Sequence, residues 1–186
     1  LGGRPAGAWI DALRAALGLV GRHLPELRAE MDVGLLHLVP VGFDAERHLS
    51  ATYREAIGTA YLSLHPDPLT MAEALVHEFS HTKLNALFEI DQVLENADEP
   101  RFASPVRPDT RPLRGVLLAV HAFVAVAALH ARMAEAGGPI AASPTFAARR
   151  ADVLRGNAEG LEVLLAHAEP TPVGRALLDE LTRLSP

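Results

Sequence analysis

The sequence contains no cysteine, which removes disulfides, thiolate metal ligands and a cysteine nucleophile from consideration together. It also lacks a basic excess. Seventeen Lys and Arg stand against 23 Asp and Glu, for a formal charge of -6, whereas a phosphate-binding surface needs clustered cations; no nucleic-acid partner is expected. A membrane span needs about 20 consecutive apolar residues, and the longest run here, residues 116–129, is shorter and is broken by His121. No membrane segment is expected, and a cytoplasmic setting is compatible with the composition. Internal repeats and low-complexity tracts are absent. The opening Leu1-Gly2-Gly3-Arg4-Pro5 has neither an initiator Met nor the charged-then-apolar design of a signal peptide, and it reads as the start of a domain excised from a longer protein.

A chain of 186 residues, 49% hydrophobic and 22% charged, is long enough for one domain with a sizeable core and marginal for two. Residues 1–186 are read as a single domain. It is organised around residues 70–94, and above all around His77-Glu78-Phe79-Ser80-His81, an HExxH pattern. Two histidines four apart on a helix lie one turn above each other, so both imidazoles reach a single metal ion. Thr70 followed by Glu73 reads as a capping box, and Pro66-Asp67-Pro68 marks the chain just before the helix. Ala74, Leu75, Val76, Phe79, Leu84, Leu87 and Phe88 leave almost no solvated face, which places this helix at the centre of the domain. Two imidazoles and a carboxylate inside an apolar helix cost several kcal/mol unless something pairs them, and a divalent metal does so.

Trp9, Ile10, Leu13, Leu17 and Val20 recur at helical spacing, and Pro25 suits the start of a second helix. Residues 33–41 and 59–65 read as strands that pair antiparallel across the polar segment 43–55. Residues 96–112, dense in Asp, Pro and Arg, read as a loop, and loops of that length are usually functional. Residues 113–136 form the second long helix, ended by Gly137-Gly138-Pro139. Ser143-Pro144 and Thr171-Pro172 each pair an N-cap with an N1 proline, and they open helices reaching about His167 and Leu184. The expected fold is helix-dominated α+β, with a small antiparallel sheet beside the central HExxH helix in a metallopeptidase-like arrangement.

A catalytic metal site normally takes three protein ligands. The metzincin extension of HExxH is absent, since Leu84 and Leu87 occupy the positions it needs. His121 is the leading third ligand, because it sits in the middle of an otherwise apolar helix. Glu89, Glu95, Asp98 and Asp109 are competing carboxylates in or near the polar loop. His23, His37, His48, His65, His130 and His167 have no partner at metal spacing and read as surface or packing residues. Arg114 precedes His121 by seven positions and so shares its helix face about 10 Å away, a cation expected to face the metal cleft. Arg111 and Arg107 are its substitutes.

The stretch ALVHEFSHTKLNAL, followed by a polar loop and then RPLRGVLLAVHAFVAVA, resembles the HExxH-type peptide β-hydroxylases encoded with ribosomally made, post-translationally modified peptides, some of them fused to radical SAM maturases. The resemblance spans roughly residues 58–129 and rests on the Asn85 neighbourhood, the RPLRG segment and the later His falling in order. It implies iron(II), 2-oxoglutarate and O2, hydroxylation of a β-carbon in a precursor peptide, and a fused or partner maturation domain. On that reading His77, His81 and His121 hold the metal, Arg114 or Arg111 anchors the distal carboxylate of the cosubstrate, and Asn85 belongs to the same pocket. Family members are usually longer than this chain. The rival is a zinc metallopeptidase in which Glu78 is general base to a metal-bound water, with an extended peptide along the strand 59–65.

Overall fold

Asp67 starts the central helix. Its carboxylate accepts the main-chain N–H groups of Leu69 at 3.2 Å and Thr70 at 3.1 Å, and Pro68 fills the first helical position, where a missing N–H costs nothing. The capping-box expectation for Thr70 and Glu73 is thereby corrected: Glu73 turns inward instead, with its Oε1 2.6 Å from His130 Nε2 and its Oε2 paired with Arg149. The computed structural model describes residues 2–98, 101–104 and 107–185, and within these the α-helices run Ala6–His23 (α1), Pro25–Gly34 (α2), Pro68–Ile90 (α3), Leu113–Ala136 (α4), Pro144–His167 (α5) and Pro172–Leu184 (α6). The strands are His37–Phe43 (β1), Ser50–Thr52 (β2), Thr59–Leu64 (β3), Arg101–Ser104 (β4) and Arg107–Pro112 (β5), with a short 3-10 turn at Arg54–Ala56.

Helices α3 and α4 lie antiparallel through the centre. Glu73 meets His130 near one end, His77 meets Phe123 in the middle, and Phe88 lies under Arg114 at the other end. One apolar cluster packs α1, the first half of α3 and the second half of α4; the other packs Leu84, Leu113, Leu117 and Val120 against α6. Both clusters draw on α3 and α4, so the pair is held along its whole length. Helix α4 is long and apolar enough to cross a membrane by length and composition, but 61% of its most apolar window is buried against the rest of the protein.

The three-stranded sheet has the order β1-β3-β2, with β1 parallel and β2 antiparallel to β3. The expected antiparallel pairing of the two longer strands is overturned because the chain reverses twice between them. Asp44 makes the first reversal by accepting the N–H groups of Glu46 and Arg47. Gly58 makes the second at φ 85°, a left-handed conformation that glycine adopts without strain. Residues 33 and 34, expected in the first strand, end α2 instead. Part of the expected loop 96–112 forms a small antiparallel hairpin, β4 with β5, which delivers Arg111 and then α4 to the centre of the molecule.

Candidate metal centre

His77 and His81 present adjacent rings from successive turns of α3, their centroids 4.4 Å apart and nearly perpendicular. Phe123 of α4 packs against His77 at 4.7 Å, which fixes the ring and keeps water from one side. Burial pushes His77 down to about 3, aided by the neighbouring His81, and pushes His81 down to about 4. Both imidazoles are therefore neutral at pH 7, the form in which a nitrogen lone pair binds a metal.

The two rings open on a cavity of about 420 Å³ whose other walls include β2, Arg111, Gly115, Leu118 and Ala119. Glu78, 2% exposed, sits between α3 and β2. Its Oε1 accepts the Ser50 hydroxyl at 2.6 Å and its Oε2 accepts the Thr52 hydroxyl at 2.7 Å. Burial raises the Glu78 carboxyl above the usual carboxylate range, and the two hydroxyl donors pull it back. Ser50 and Thr52 do this together because alternate side chains of a strand share a face. The same strand leaves an open edge: Ser63 donates its N–H to the Leu49 carbonyl at 2.7 Å and Ala51 registers with Tyr61, so the main-chain groups of Ser50 and Thr52 point outward.

The other residues expected from the sequence fall in three places. Arg111 reaches the cavity, its aliphatic stem packed on Gly115, where an added Cβ would lie 3.3 Å from Arg111 Cβ. Arg114 does not reach it. Its main chain is tied to the Ala97 carbonyl, and its guanidinium lies over Phe88 and 3.4 Å from Asp98 in a separate cavity. The expectation that Arg114 faces the metal cleft is thus corrected. On α4 it is Gly115, Leu118 and Ala119 that turn toward His77 and His81, and Arg114 and His121 lie to one side of that face. Asn85 is buried one turn beyond His81, outside the cavity lining.

His121 stands near His81 but faces the Ser80 main chain; burial pushes it down to about 4, with Lys83 and His81 contributing and the Ser80 contact opposing. Among the described residues no three His, Asp or Glu side chains are assembled as a metal site. Two of the three expected donors nevertheless lack a protein partner. His81 Nδ1 and His121 Nδ1 are both buried without a hydrogen-bond partner, and an orphaned buried polar atom costs about 1–3 kcal/mol. Of the competing carboxylates, Glu89 pairs with Arg54, Glu95 accepts from Gln92 and Asp98 meets Arg114, all away from the two histidines. The side chains of Asp109 and Arg107 lie outside the described residues.

Ser50, Thr52 and Tyr53 also line the cavity, and no motif in the sequence marks them. The signal that could have found them is two hydroxyl residues spaced i, i+2 in a short strand between the two longer ones. No protein-family model and no curated protein matches this chain.

Proposed function

We propose that this chain is an iron(II)- and 2-oxoglutarate-dependent hydroxylase acting on a residue of an extended peptide, with a metallopeptidase-like HExxH helix as its metal platform. The reading rests on the resemblance of residues 58–129 and on one observation above all: both carboxylate oxygens of Glu78 are engaged by β2 hydroxyls. A general base must reach a metal-bound water, and here one acceptor site on each oxygen is already taken by a hydroxyl that holds the carboxylate toward β2. His77 and His81 would hold the metal, with His121 as third ligand. Three neutral imidazoles suit iron and leave coordination positions open for other groups. Bound iron(II) would supply the oxidising chemistry that inserts an atom of O2 into a C–H bond, with 2-oxoglutarate as the co-reductant.

The chain's own residues account for the rest of the task. Arg111 replaces Arg114 as anchor of the distal carboxylate, because its planar fork matches a carboxylate with two parallel hydrogen bonds and its side chain lines the cavity. Leu118, Ala119 and Phe123 limit water around the reacting centre. The peptide was expected along the strand now seen as β3, but β3 is covered on both edges by β1 and β2, so its path moves to the outer edge of β2. There Ser50 and Thr52 offer main-chain groups for strand addition. Cosubstrate supply from metabolism places the protein in the cytoplasm, alongside the maturation machinery of a ribosomal precursor peptide.

A zinc metallopeptidase is the second reading, favoured by the same edge strand and by the presence of Glu78 in the cavity wall. The test is substrate-free turnover: the protein incubated with iron(II), ascorbate, O2 and 2-oxoglutarate should form succinate, and His77→Ala should not. Absence of succinate in the wild-type protein, with zinc-dependent cleavage of a casein digest, would transfer the proposal to the peptidase.

A further inference from the structure

Arg114 is poorly satisfied where it stands. Among the described residues its Nε is buried with no hydrogen-bond partner, and its single ion-pair partner, Asp98, is 3.4 Å away and 77% exposed. Phe88 supports the guanidinium from below at 5.4 Å. Beside it is a cavity of about 180 Å³, lined by Arg54, Phe88, Gln92, Val93 and Arg114 among others, with room for about six waters at roughly 30 Å³ each. That is the size of a short polar side chain.

This cavity is separate from that of the metal centre but adjoins it. On one wall Tyr53 lines the first cavity and the next residue, Arg54, lines the second; on the other wall Gly115 lines the first and Arg114 the second. Along α3, Phe88 is seven residues from His81, about 10 Å of helix. An extended peptide rises about 3.3 Å per residue and alternate side chains share a face, so a chain laid on β2 with its reacting residue at His77 and His81 brings a side chain two or four positions away to Arg114. The cavity is too far along the helix for the distal end of a cosubstrate chelated at the histidines.

The charge of the ligand follows from which group lacks a partner. The unsatisfied atom is a buried N–H, so the missing group is an acceptor. Asp91 lines the cavity, and Glu89 and Asp98 pair with Arg54 and Arg114, but all three carboxylates are exposed and screened. A carboxylate on the ligand can take Nε and a terminal nitrogen of Arg114 side by side, the arrangement in which guanidinium binds carboxylate most strongly.

We infer that the Arg114 cavity is a specificity pocket for an acidic side chain, Asp or Glu, located two or four residues from the modified position of the peptide. The inference rests on the peptide reading of the metal centre. It gives Arg114 a role in choosing the substrate.

The test is selection from a pool of random nonapeptides by the full chain immobilised with iron(II) and 2-oxoglutarate in the absence of O2. Retained peptides should be enriched about tenfold or more in Asp and Glu over Asn and Gln at one position. Arg114→Gln should still retain peptides but lose that preference. A retained pool with no acidic preference, or a preference that survives in Arg114→Gln, overturns the inference and leaves the peptide reading standing; failure to retain any peptide removes both. Should Arg114→Gln not fold, Arg111→Gln, which lacks the other carboxylate-binding arginine, decides through its arginine Nε–H NMR resonances, titrated with N-acetylglutamate methylamide and with the glutamine analogue. One resonance moving with the first and not the second supports the pocket, and no movement with either overturns it.

Discussion

Removing the hydroxyls that brace Glu78 is the most informative perturbation of the fold at the site. Thr52→Val keeps the shape of the side chain and deletes its donor, and Ser50→Ala deletes the other. Each hydrogen bond ends on a carboxylate that is 2% exposed, so solvent screening is small and each loss costs about 1.5–3 kcal/mol. At roughly 2.1 cal/mol/K of unfolding entropy per residue, a chain of 186 residues loses stability by about 0.4 kcal/mol per degree near its midpoint. Each variant should then melt about 4–8 °C below the wild-type protein in calorimetry on metal-free protein at pH 7.5. The decisive arm is a double-mutant cycle with Glu78→Gln. The neutral amide needs less from its donors, so Thr52→Val should cost only about 1 kcal/mol in that background, a coupling of about 0.5–2 kcal/mol against the roughly 0.3–0.5 kcal/mol scatter of independent sites. Equal losses in both backgrounds would show that Thr52 stabilises β2 by some other means and that Glu78 is not braced as described.

Three further outcomes are expected. His77→Ala and His81→Ala should each abolish stoichiometric iron(II) binding in anaerobic equilibrium dialysis, and His121→Ala should weaken it measurably; full-strength binding in His121→Ala would reassign the third position. Arg111→Gln should raise the apparent KM for 2-oxoglutarate about 10- to 100-fold, equivalent to about 1.5–3 kcal/mol, with the metal retained, while Arg114→Gln leaves that constant unchanged. Acid should destabilise the metal-free chain. Burial holds His77, His81 and His121 at about 3, 4 and 4 in the folded protein, against about 6.5 when unfolded. The unfolded chain therefore binds protons first as pH falls, so stability is fully present above pH 6.5 and is lost between about 6.5 and 4, by up to about 1.4 kcal/mol per pH unit for each histidine. A urea midpoint that stays constant from pH 7 to pH 4 would contradict the buried placement of these rings.

Helices were legible where capping and periodicity agreed. Ser143 and Thr171 each accept a main-chain N–H at the start of α5 and α6 with proline at the next position, and the end of α4 falls at the glycine pair. The start of α3 was misread because Asp67 and Thr70 both have side-chain oxygens suited to capping, and only the fold shows Glu73 drawn toward His130 and Arg149. Strand pairing was not legible. Parallel or antiparallel order depends on how many times the chain reverses between two strands, and the intervening strand β2 is three residues long, too short for a pattern. The hairpin of β4 and β5 carries prolines and arginines in place of alternating apolar residues, so it resembled a loop.

The site divides in the same way. His77, Glu78 and His81 were readable because their geometry is set within one helix. The choice between Arg111 and Arg114 was not, since it depends on which face of α4 turns to α3. Shared periodicity put Arg114 on the side of His121, and the packing of Gly115, Leu118 and Ala119 put a different face on the cavity. The glycine at 115 is what lets the Arg111 stem lie close to the helix.

The central claim is oxygen insertion into a peptide at the HExxH centre. The direct measurement is mass spectrometry of a random peptide pool incubated with the protein, iron(II), 2-oxoglutarate, ascorbate and O2, with His81→Ala as control. Peptides that gain the mass of one oxygen only with the wild-type protein are the predicted result. Peptides cut in two, with zinc in place of iron and no need for 2-oxoglutarate, would contradict it.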